Sequence, residues 1–270
     1  MAYETILTDL EEGVCVITLN RPERMNAWND TMASEMGLAL DEAESDDEVR
    51  VVVVTGTGRA FCAGADLSSG EDTFAKTGDE NPHRAGTPKT MPWDLSKPVV
   101  AAINGHAVGV GITFPMTADL RFVAAEAKIQ FAFVRRGIIP ELGSLKLLSH
   151  IVGRQIASDL LMSGRMFSGT EAAEMGLAAR ALPADEVLPA AMAWARDVAA
   201  NTAPVSVAVT KRLMWEDAMP EVEALFNKEL HLLPWLGGQP DAAEGVLAFL
   251  EKRDPAWSMS ITNDLPTLDG

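Results

Sequence analysis

Two glycine-rich segments each follow a run of apolar residues that is typical of a buried strand. They are "VVVVTGTGRAFCAGADL" (residues 51–67) and "KPVVAAINGHAVGVG" (residues 97–111). Small side chains let a ligand approach the main chain, and main-chain N–H groups at a loop or helix N-terminus bind negative charge. If the two strands are neighbours, each loop can direct one N–H group at the same oxygen atom. The pattern predicts an oxyanion hole, and the alternative is that the glycines serve only tight turns.

The position of Pro115 predicts where the second segment becomes a helix. Proline is tolerated in the first turn of a helix, where its missing N–H group would have no partner. A helix that holds Pro115 in its first turn begins near Val110 or Gly111. The helix dipole would then add to the stabilisation of a negatively charged oxygen.

Several familiar catalytic motifs do not occur in the sequence. Phe61 and Phe114 stand where a dinucleotide-binding glycine turn needs its third small residue. The sequence has no Walker A, GxSxG or HExxH motif, and its four histidines lack the spacing of metal ligands. We therefore expect no metal site, and a Rossmann enzyme, a serine hydrolase and a zinc enzyme have no support.

The spacing of apolar residues predicts an α/β fold. The elements run strand, strand, helix, strand, glycine loop, strand, glycine loop, helix, strand, and helices dominate from about residue 143 onward. Ser168 and Glu171 form a capping box at the start of a short helix. Residues 68–92 are rich in polar residues, glycine and proline, which predicts an irregular segment that covers a site. Four helices are predicted at residues 185–201, 204–218, 221–236 and 240–253.

The charge of the chain excludes several classes of partner. Its 22 basic and 39 acidic residues give a net charge of −17, which repels phosphate backbones and anionic lipids, so we expect neither a nucleic acid nor a membrane as partner. No signal peptide or membrane-spanning segment is recognisable. Cys15 and Cys62 lie in apolar surroundings, which predicts a cytoplasmic protein with reduced thiols.

Six motifs together carry a resemblance to a known family. Besides the two glycine segments they are "NRPERMNAW", "RRGIIPELGS", "LMSGRMFSGTEAAEMGLAARAL" and "EGVLAFLEKRDPAW". In this order, and over nearly the whole chain, they resemble the crotonase or enoyl-CoA hydratase/isomerase superfamily. The resemblance implies a ClpP/crotonase-like spiral of ββα units over residues 1–200. It also implies a C-terminal helical region at 201–270 that packs against the core and against neighbouring subunits in a homotrimer or a dimer of trimers.

The resemblance implies an acyl-CoA thioester as substrate and no permanently bound cofactor. The oxyanion donors fall on the N–H groups of Ala65 and Val110, although glycine is usual at the second position and valine narrows the space beside the carbonyl. For Lys252, a solvated helix end is an equal alternative to CoA binding. The implied CoA contacts are Arg24, Ala27, Ala63, Asp66, Leu67, Phe249 and Lys252.

The sequence departs from the hydratases of the superfamily at their two catalytic glutamates. Those positions correspond to Thr113 and Phe133, which we assign to the acyl pocket. Threonine has no useful pKa near neutrality and phenylalanine has no proton to exchange. Ordinary hydration through that pair of residues is therefore disfavoured.

Glu141 is the acid that stands nearby, in "GIIPELGS". Some enoyl-CoA isomerases of the superfamily carry a glutamate in a similar position, and burial among Ile138, Ile139 and Leu142 would raise the pKa of Glu141. The alternative is an acid that is stabilised at the start of the next helix. Three functions stay open: isomerisation through Glu141, another enolate reaction such as hydration, decarboxylation or thioester hydrolysis, and acyl-CoA binding without catalysis.

Overall fold

The chain opens with the β-hairpin that its alternating residues predict. The structure is a computed structural model, and it describes residues 3–75, 86–216 and 218–266. Strands β1 (Ile6–Glu11) and β2 (Val14–Leu19) pair antiparallel, with Ile6 opposite Leu19 and Glu11 opposite Val14. Glu12 and Gly13 turn the chain with positive φ.

Eight further strands follow along the chain. Most have only three to six residues, so each is too short to be stable without its neighbours. They are β3 (Val51–Gly56), β4 (Ala60–Cys62), β5 (Val99–Ile103), β6 (His106–Val108), β7 (Leu120–Ala124), β8 (Lys128–Gln130), β9 (Met166–Ser168) and β10 (Arg180–Leu182).

The strands form two sheets that share a repeating connection. The larger sheet has the order β1-β2-β3-β5-β7-β10 and the smaller has the order β4-β6-β8-β9. Each of the pairs β3/β4, β5/β6 and β7/β8 puts its first strand in the larger sheet and its second strand in the smaller sheet. Within each sheet these strands are parallel neighbours. This stepwise advance confirms the predicted spiral.

The helices begin and end close to the positions that capping residues and periodicity predict. Asn29 accepts a hydrogen bond from the Met32 N–H group at the start of the first helix, and the capping box of Ser168 and Glu171 is present. The second helix begins at Val110 as predicted, but it ends at Thr113, and Pro115 begins a separate 3₁₀ helix that covers Pro115–Thr117 instead of lying in the first turn of α2. The helices are α1 (Asp30–Ser45), α2 (Val110–Thr113), α3 (Ser144–Val152), α4 (Arg154–Ser163), α5 (Gly169–Glu174), α6 (Ala184–Asn201), α7 (Pro204–Glu216), α8 (Met219–Gly237), α9 (Pro240–Glu251) and α10 (Ile261–Asp264).

Helix α9 packs closely against the segment that follows β8. A Cβ atom on Gly245 would lie 2.6 Å from the Cα atom of Arg136, and one on Gly137 would lie 2.5 Å from the carbonyl oxygen of Asp241. These distances are shorter than real Cβ contacts, so the two backbones meet only because both positions are glycine. The helix thereby fixes residues 133–137, which border the cavity described below.

Helix α7 exposes large apolar side chains on its outer face. Val205 and Met214 are each 74% exposed, and Val209 and Leu213 are also exposed. Such a face is typical of contact with another chain. The division of the chain at residue 200 and the assembly as a trimer or hexamer stay predictions.

The segment predicted to be irregular is described at its two ends. A 3₁₀ helix covers Leu67–Thr73 and another covers Pro92–Asp94. Residues 76–85 lie outside the described residues, so the prediction that they cover a site stays a prediction. Among residues 3–75, 86–216 and 218–266, no helix combines the length and apolar character that crossing a bilayer requires.

Candidate active site

The two glycine loops lie side by side because their strands are neighbours. β3 pairs with β5, and β4 pairs with β6. Gly64 has a φ of +102° and Gly109 a φ of +56°, and a Cβ atom on Gly109 would lie 3.8 Å from the Cα atom of Gly64. A Cβ atom on Gly64 would lie 3.0 Å from the Val108 carbonyl oxygen. Conformation and space therefore both favour glycine at the point where the loops meet.

The N–H groups of Ala65 and Val110 follow these two glycines and donate no hydrogen bond to another group of the described residues. Ala65 forms a parallel bridge with Trp28. That bridge uses the N–H groups of Trp28 and Asp66, each at 2.8 Å from its acceptor, and leaves the N–H group of Ala65 free. Val110 is the first residue of α2, so its N–H group has no acceptor within the helix. Both groups are therefore available to a ligand.

Both of these residues line a cavity of about 480 Å³. Trp28, Ile138 and Leu233 give the cavity apolar walls. Its volume is in the range of small-molecule sites. Eight of the residues that the sequence predicts for the site line this cavity: Ala63, Ala65, Asp66, Leu67, Val110, Phe133, Glu141 and Phe249.

Four of the predicted site residues lie outside the lining of this cavity, as far as the described residues define it. Arg24 and Lys252 are exposed, and Lys252 ends α9 with a φ of 55°. The Ala27 carbonyl oxygen accepts a hydrogen bond from Arg21. Thr113 is fully buried and its Oγ1 atom lies 3.4 Å from the Gly109 carbonyl oxygen, so its side chain faces α2 and not the acyl space.

Glu141 stands on a turn between Pro140 and α3. Leu142 and Gly143, which follow it, both have left-handed φ values of 57° and 63°. The carboxyl lines the cavity and has no cationic partner among the described residues. Burial raises the pKa of Glu141 to about 7. A carboxyl with this pKa can both accept and release a proton near neutrality.

Asp66 lines the same cavity in a different electrostatic state. It forms an ion pair with Arg21 at 2.8 Å and accepts a hydrogen bond from the Ser68 N–H group. Burial acts to raise the pKa of Asp66, but the bonds from Arg21 and Ser68 outweigh it and the pKa lies below its usual value. Asp66 therefore stays ionised and paired, and Glu141 is the better proton carrier.

Two arginines of the cavity were not among the residues predicted for the site. Arg21 and Arg136 both line it, and the Arg136 guanidinium lies 3.9 Å from the centre of the Phe249 ring. Arg21 lies within the quoted "NRPERMNAW" motif, but its partner Asp66 is 45 residues away and no local pattern joins them. Arg136 lies in the quoted "RRGIIPELGS" motif, and only the packing of α9 brings it to Phe249.

The succession of strand pairs in two sheets, with a cavity where the glycine loops meet, is the architecture of the crotonase superfamily. The sequence model described as enoyl-CoA hydratase/isomerase matches residues 9–260, and the chain belongs to this family. It is accordingly an acyl-CoA enzyme of the enoyl-CoA hydratase/isomerase superfamily.

Individual relatives agree with this assignment. The chain is 36% identical to the enoyl-CoA hydratase ACTT3 of Alternaria alternata over 90% of this chain and 82% of that protein. It is 34% identical to 1,2-epoxyphenylacetyl-CoA isomerase of Escherichia coli K12 over 94% of this chain and 98% of that protein. The crystal structure of an enoyl-CoA hydratase/isomerase from Pseudoalteromonas atlantica T6c superposes with a TM-score of 0.85 at 32% identity. That match covers 94% of this chain and all of the other.

Proposed function

We propose that the protein isomerises a β,γ-enoyl-CoA to the α,β-enoyl-CoA through an enolate. The N–H groups of Ala65 and Val110 bind the thioester oxygen, and Glu141 carries the proton. The observation that supports this proposal most strongly is one cavity that holds two free main-chain N–H groups from adjacent loops and one partly buried carboxyl with a raised pKa.

The proposed reaction needs one base and one oxyanion site. Ionised Glu141 removes a proton from the α carbon, and the electron pair of that C–H bond moves through the carbonyl carbon onto the thioester oxygen. When the enolate collapses, the carbonyl re-forms and its electron pair makes the double bond between the α and β carbons. In the same step the β,γ π bond breaks, and its electron pair takes the proton from Glu141 at the γ carbon. Atoms and charge balance without a cofactor or metal, and the N–H groups of Ala65 and Val110 stabilise the enolate oxygen.

The distribution of acids favours isomerisation over hydration. Hydration needs activation of water as well as a proton for the α carbon, which two carboxyls share most readily. Phe133 lines the cavity and Thr113 is buried at the end of α2, and neither side chain exchanges a proton near neutral pH.

CoA would extend from the thioester site along the loop at residues 63–67. Arg21 supplies positive charge to that part of the cavity, although its guanidinium also forms an ion pair with Asp66. Phe249 is 53% exposed at the other side and offers an apolar surface. Arg24, Ala27 and Lys252 stay predicted contacts that a bound CoA would reach only outside the cavity. We propose the exposed face of α7 as part of a homotrimer or dimer-of-trimers interface.

A panel of acyl-CoA substrates in heavy water tests the function. We expect a 3-enoyl-CoA to give the conjugated 2-enoyl-CoA, without release of free CoA or of carbon dioxide. A 2-enoyl-CoA should gain no water. Rapid hydration of the 2-enoyl-CoA, as the names of the Alternaria relatives suggest, would replace isomerase by hydratase. Binding of every ester with turnover of none would leave a non-catalytic acyl-CoA-binding protein.

A further inference from the structure

A second carboxyl lies behind the turn that carries Glu141. Glu229, on α8, is 2% exposed, and its Oε2 atom accepts a hydrogen bond of 2.8 Å from the Gly143 N–H group. Gly143 comes directly before α3 and lies two residues after Glu141. A Cβ atom on Gly143 would lie 2.6 Å from the Cγ1 atom of Val222, so α8 presses directly on this turn. A hydrogen bond between residues 86 positions apart in the sequence therefore connects Glu229 to the turn that carries Glu141.

Packing alone does not account for this carboxyl. Its Oε1 atom is buried without a hydrogen-bond partner among the described residues, and so is the Oγ atom of Ser144, the first residue of α3. Buried polar atoms without partners are uncommon, because they give up hydration with nothing in return. A leucine or methionine would fill the same space without that cost. An interaction with the site offers a reason for the carboxyl.

We propose that Glu229 is a positioning residue for Glu141, on which it acts through the Gly143 main chain and through its own charge. This inference rests on the function proposed for Glu141. The turn needs such support because Leu142 adopts a left-handed conformation that a branched side chain rarely takes. The hydrogen bond from Gly143 to Glu229 holds that conformation and with it the direction of the Glu141 side chain.

The charges of the two carboxyls are coupled. Burial raises the pKa of Glu229 to about 8, the hydrogen bond from Gly143 opposes this, and the charge of Glu141 adds to the increase. The charge on either carboxyl therefore opposes the ionisation of the other. Burial and, to a smaller extent, the charge of Glu141 raise the pKa of the Cys62 thiol.

Three titratable groups on the same two helices pair with one another. Lys146 and His150 of α3 face Glu221 of α8, and all three side chains are partly exposed.

Two variants separate the structural role from the positioning role. Glu229→Gln keeps an oxygen acceptor for Gly143 but cannot ionise, whereas Glu229→Ala removes both properties. Asp94→Ala is the control, because Asp94 is another carboxyl whose oxygen accepts a main-chain hydrogen bond, from Met91, and it does not line the cavity. Unfolding temperature and affinity for a saturated acyl-CoA establish that each variant is folded.

We expect kcat of Glu229→Ala to fall about 10²-fold with little change in KM, the loss that follows from a misplaced catalytic group. In Glu229→Gln, kcat at pH 7 should stay close to that of the unaltered enzyme. The rate of the unaltered enzyme should respond to the ionisation of two coupled carboxyls as the pH passes through about 7 to 8, and Glu229→Gln should respond to only one. Asp94→Ala should respond to both.

The inference is overturned if folded Glu229→Ala keeps full kcat, or if Glu229→Gln still responds to both ionisations. It is also overturned if Asp94→Ala alters the pH profile as Glu229→Gln does. Failure of the proposed function looks different. In that case Glu141→Gln itself retains turnover, whatever the Glu229 variants do.

Discussion

Two regions of the molecule bury polar groups, and they treat them in opposite ways. Beneath α7, Lys211 is 6% exposed, and its Nζ atom donates to the carbonyl oxygens of Pro92 and Lys97 and pairs with Asp119 at 2.9 Å. The other oxygen of Asp119 accepts from the Trp215 indole N–H. At the cavity, the N–H groups of Ala65 and Val110 and the Glu141 carboxyl have no such partners among the described residues.

This difference distinguishes polar groups that stabilise the fold from polar groups that are available to a ligand. Around Lys211 every strong donor meets an acceptor, and the result is a fixed attachment of α7 to the strands. At the cavity, two main-chain N–H donors point into the same space without an acceptor. This arrangement is stable only because solvent or a ligand can reach them. Polar groups without partners that converge on a cavity therefore indicate the reactive site. Buried charges whose hydrogen bonds are all made indicate a structural contact between elements of the fold.

The largest effect is expected at the proton carrier. Glu141→Gln should lower kcat by about 10² to 10⁴-fold, because the amide cannot accept the α proton. Affinity for a saturated acyl-CoA, measured by calorimetry, should change little because the shape is retained. Asp94→Asn is the matched control and should keep kcat. Full turnover by Glu141→Gln would remove Glu141 from the reaction.

The second effect concerns the oxyanion donor. Val110→Pro deletes the N–H group at the first position of α2, where proline fits a helix well. We expect kcat to fall about 10² to 10³-fold, as on loss of one oxyanion donor. Val110→Ala keeps the N–H group and should retain activity. If both variants are equally slow, the side chain and not the N–H group matters at this position.

A substitution in the region around Lys211 should lower the stability of the protein and leave its turnover unchanged. Lys211→Met leaves Asp119 without its cation and two carbonyl oxygens without their donor, so the free energy of unfolding should fall by about 3–5 kcal/mol. Rates measured well below the unfolding temperature should be unchanged. Lys228→Met, at an exposed site of α8, should change stability by less than about 0.5 kcal/mol. A loss of turnover in folded Lys211→Met would break the contrast between the two regions.

The smallest effect is the dependence on pH. Glu141 has its pKa raised to about 7 by burial and must be ionised to act as base. The value of kcat/KM should therefore fall about tenfold for each pH unit below 7. Measuring the rate from pH 5 to 9, with a check of folding at each pH, gives the inflection. An inflection near the ordinary glutamate value would show that burial does not tune the reacting group.

The sequence predicts the fold better than the contacts of the site. Asn29, Pro115 and the capping box at Ser168 act on their own chain neighbours, so their consequences can be predicted locally. Strands β4 and β6 were missed as strands because three residues between glycines show no alternation. They exist because β8 and β9 complete a sheet beside them.

Long-range pairs explain what the sequence could not reveal about the site. Arg21 meets Asp66, and Glu229 meets Gly143, across 45 and 86 residues of sequence. Neither pair has a local signature, because the contact depends on how strands and helices pack. The glycines at 64 and 109 could be recognised because their chemistry depends on residue type and on the strand just before each of them.

The most direct measurement is a crystal structure with a saturated acyl-CoA bound. The thioester oxygen should lie about 2.7–3.1 Å from the main-chain nitrogens of both Ala65 and Val110. A carboxyl oxygen of Glu141 should lie within about 3–3.5 Å of the α carbon. A thioester oxygen that contacts neither nitrogen, with Glu141 remote from the acyl chain, would contradict the account.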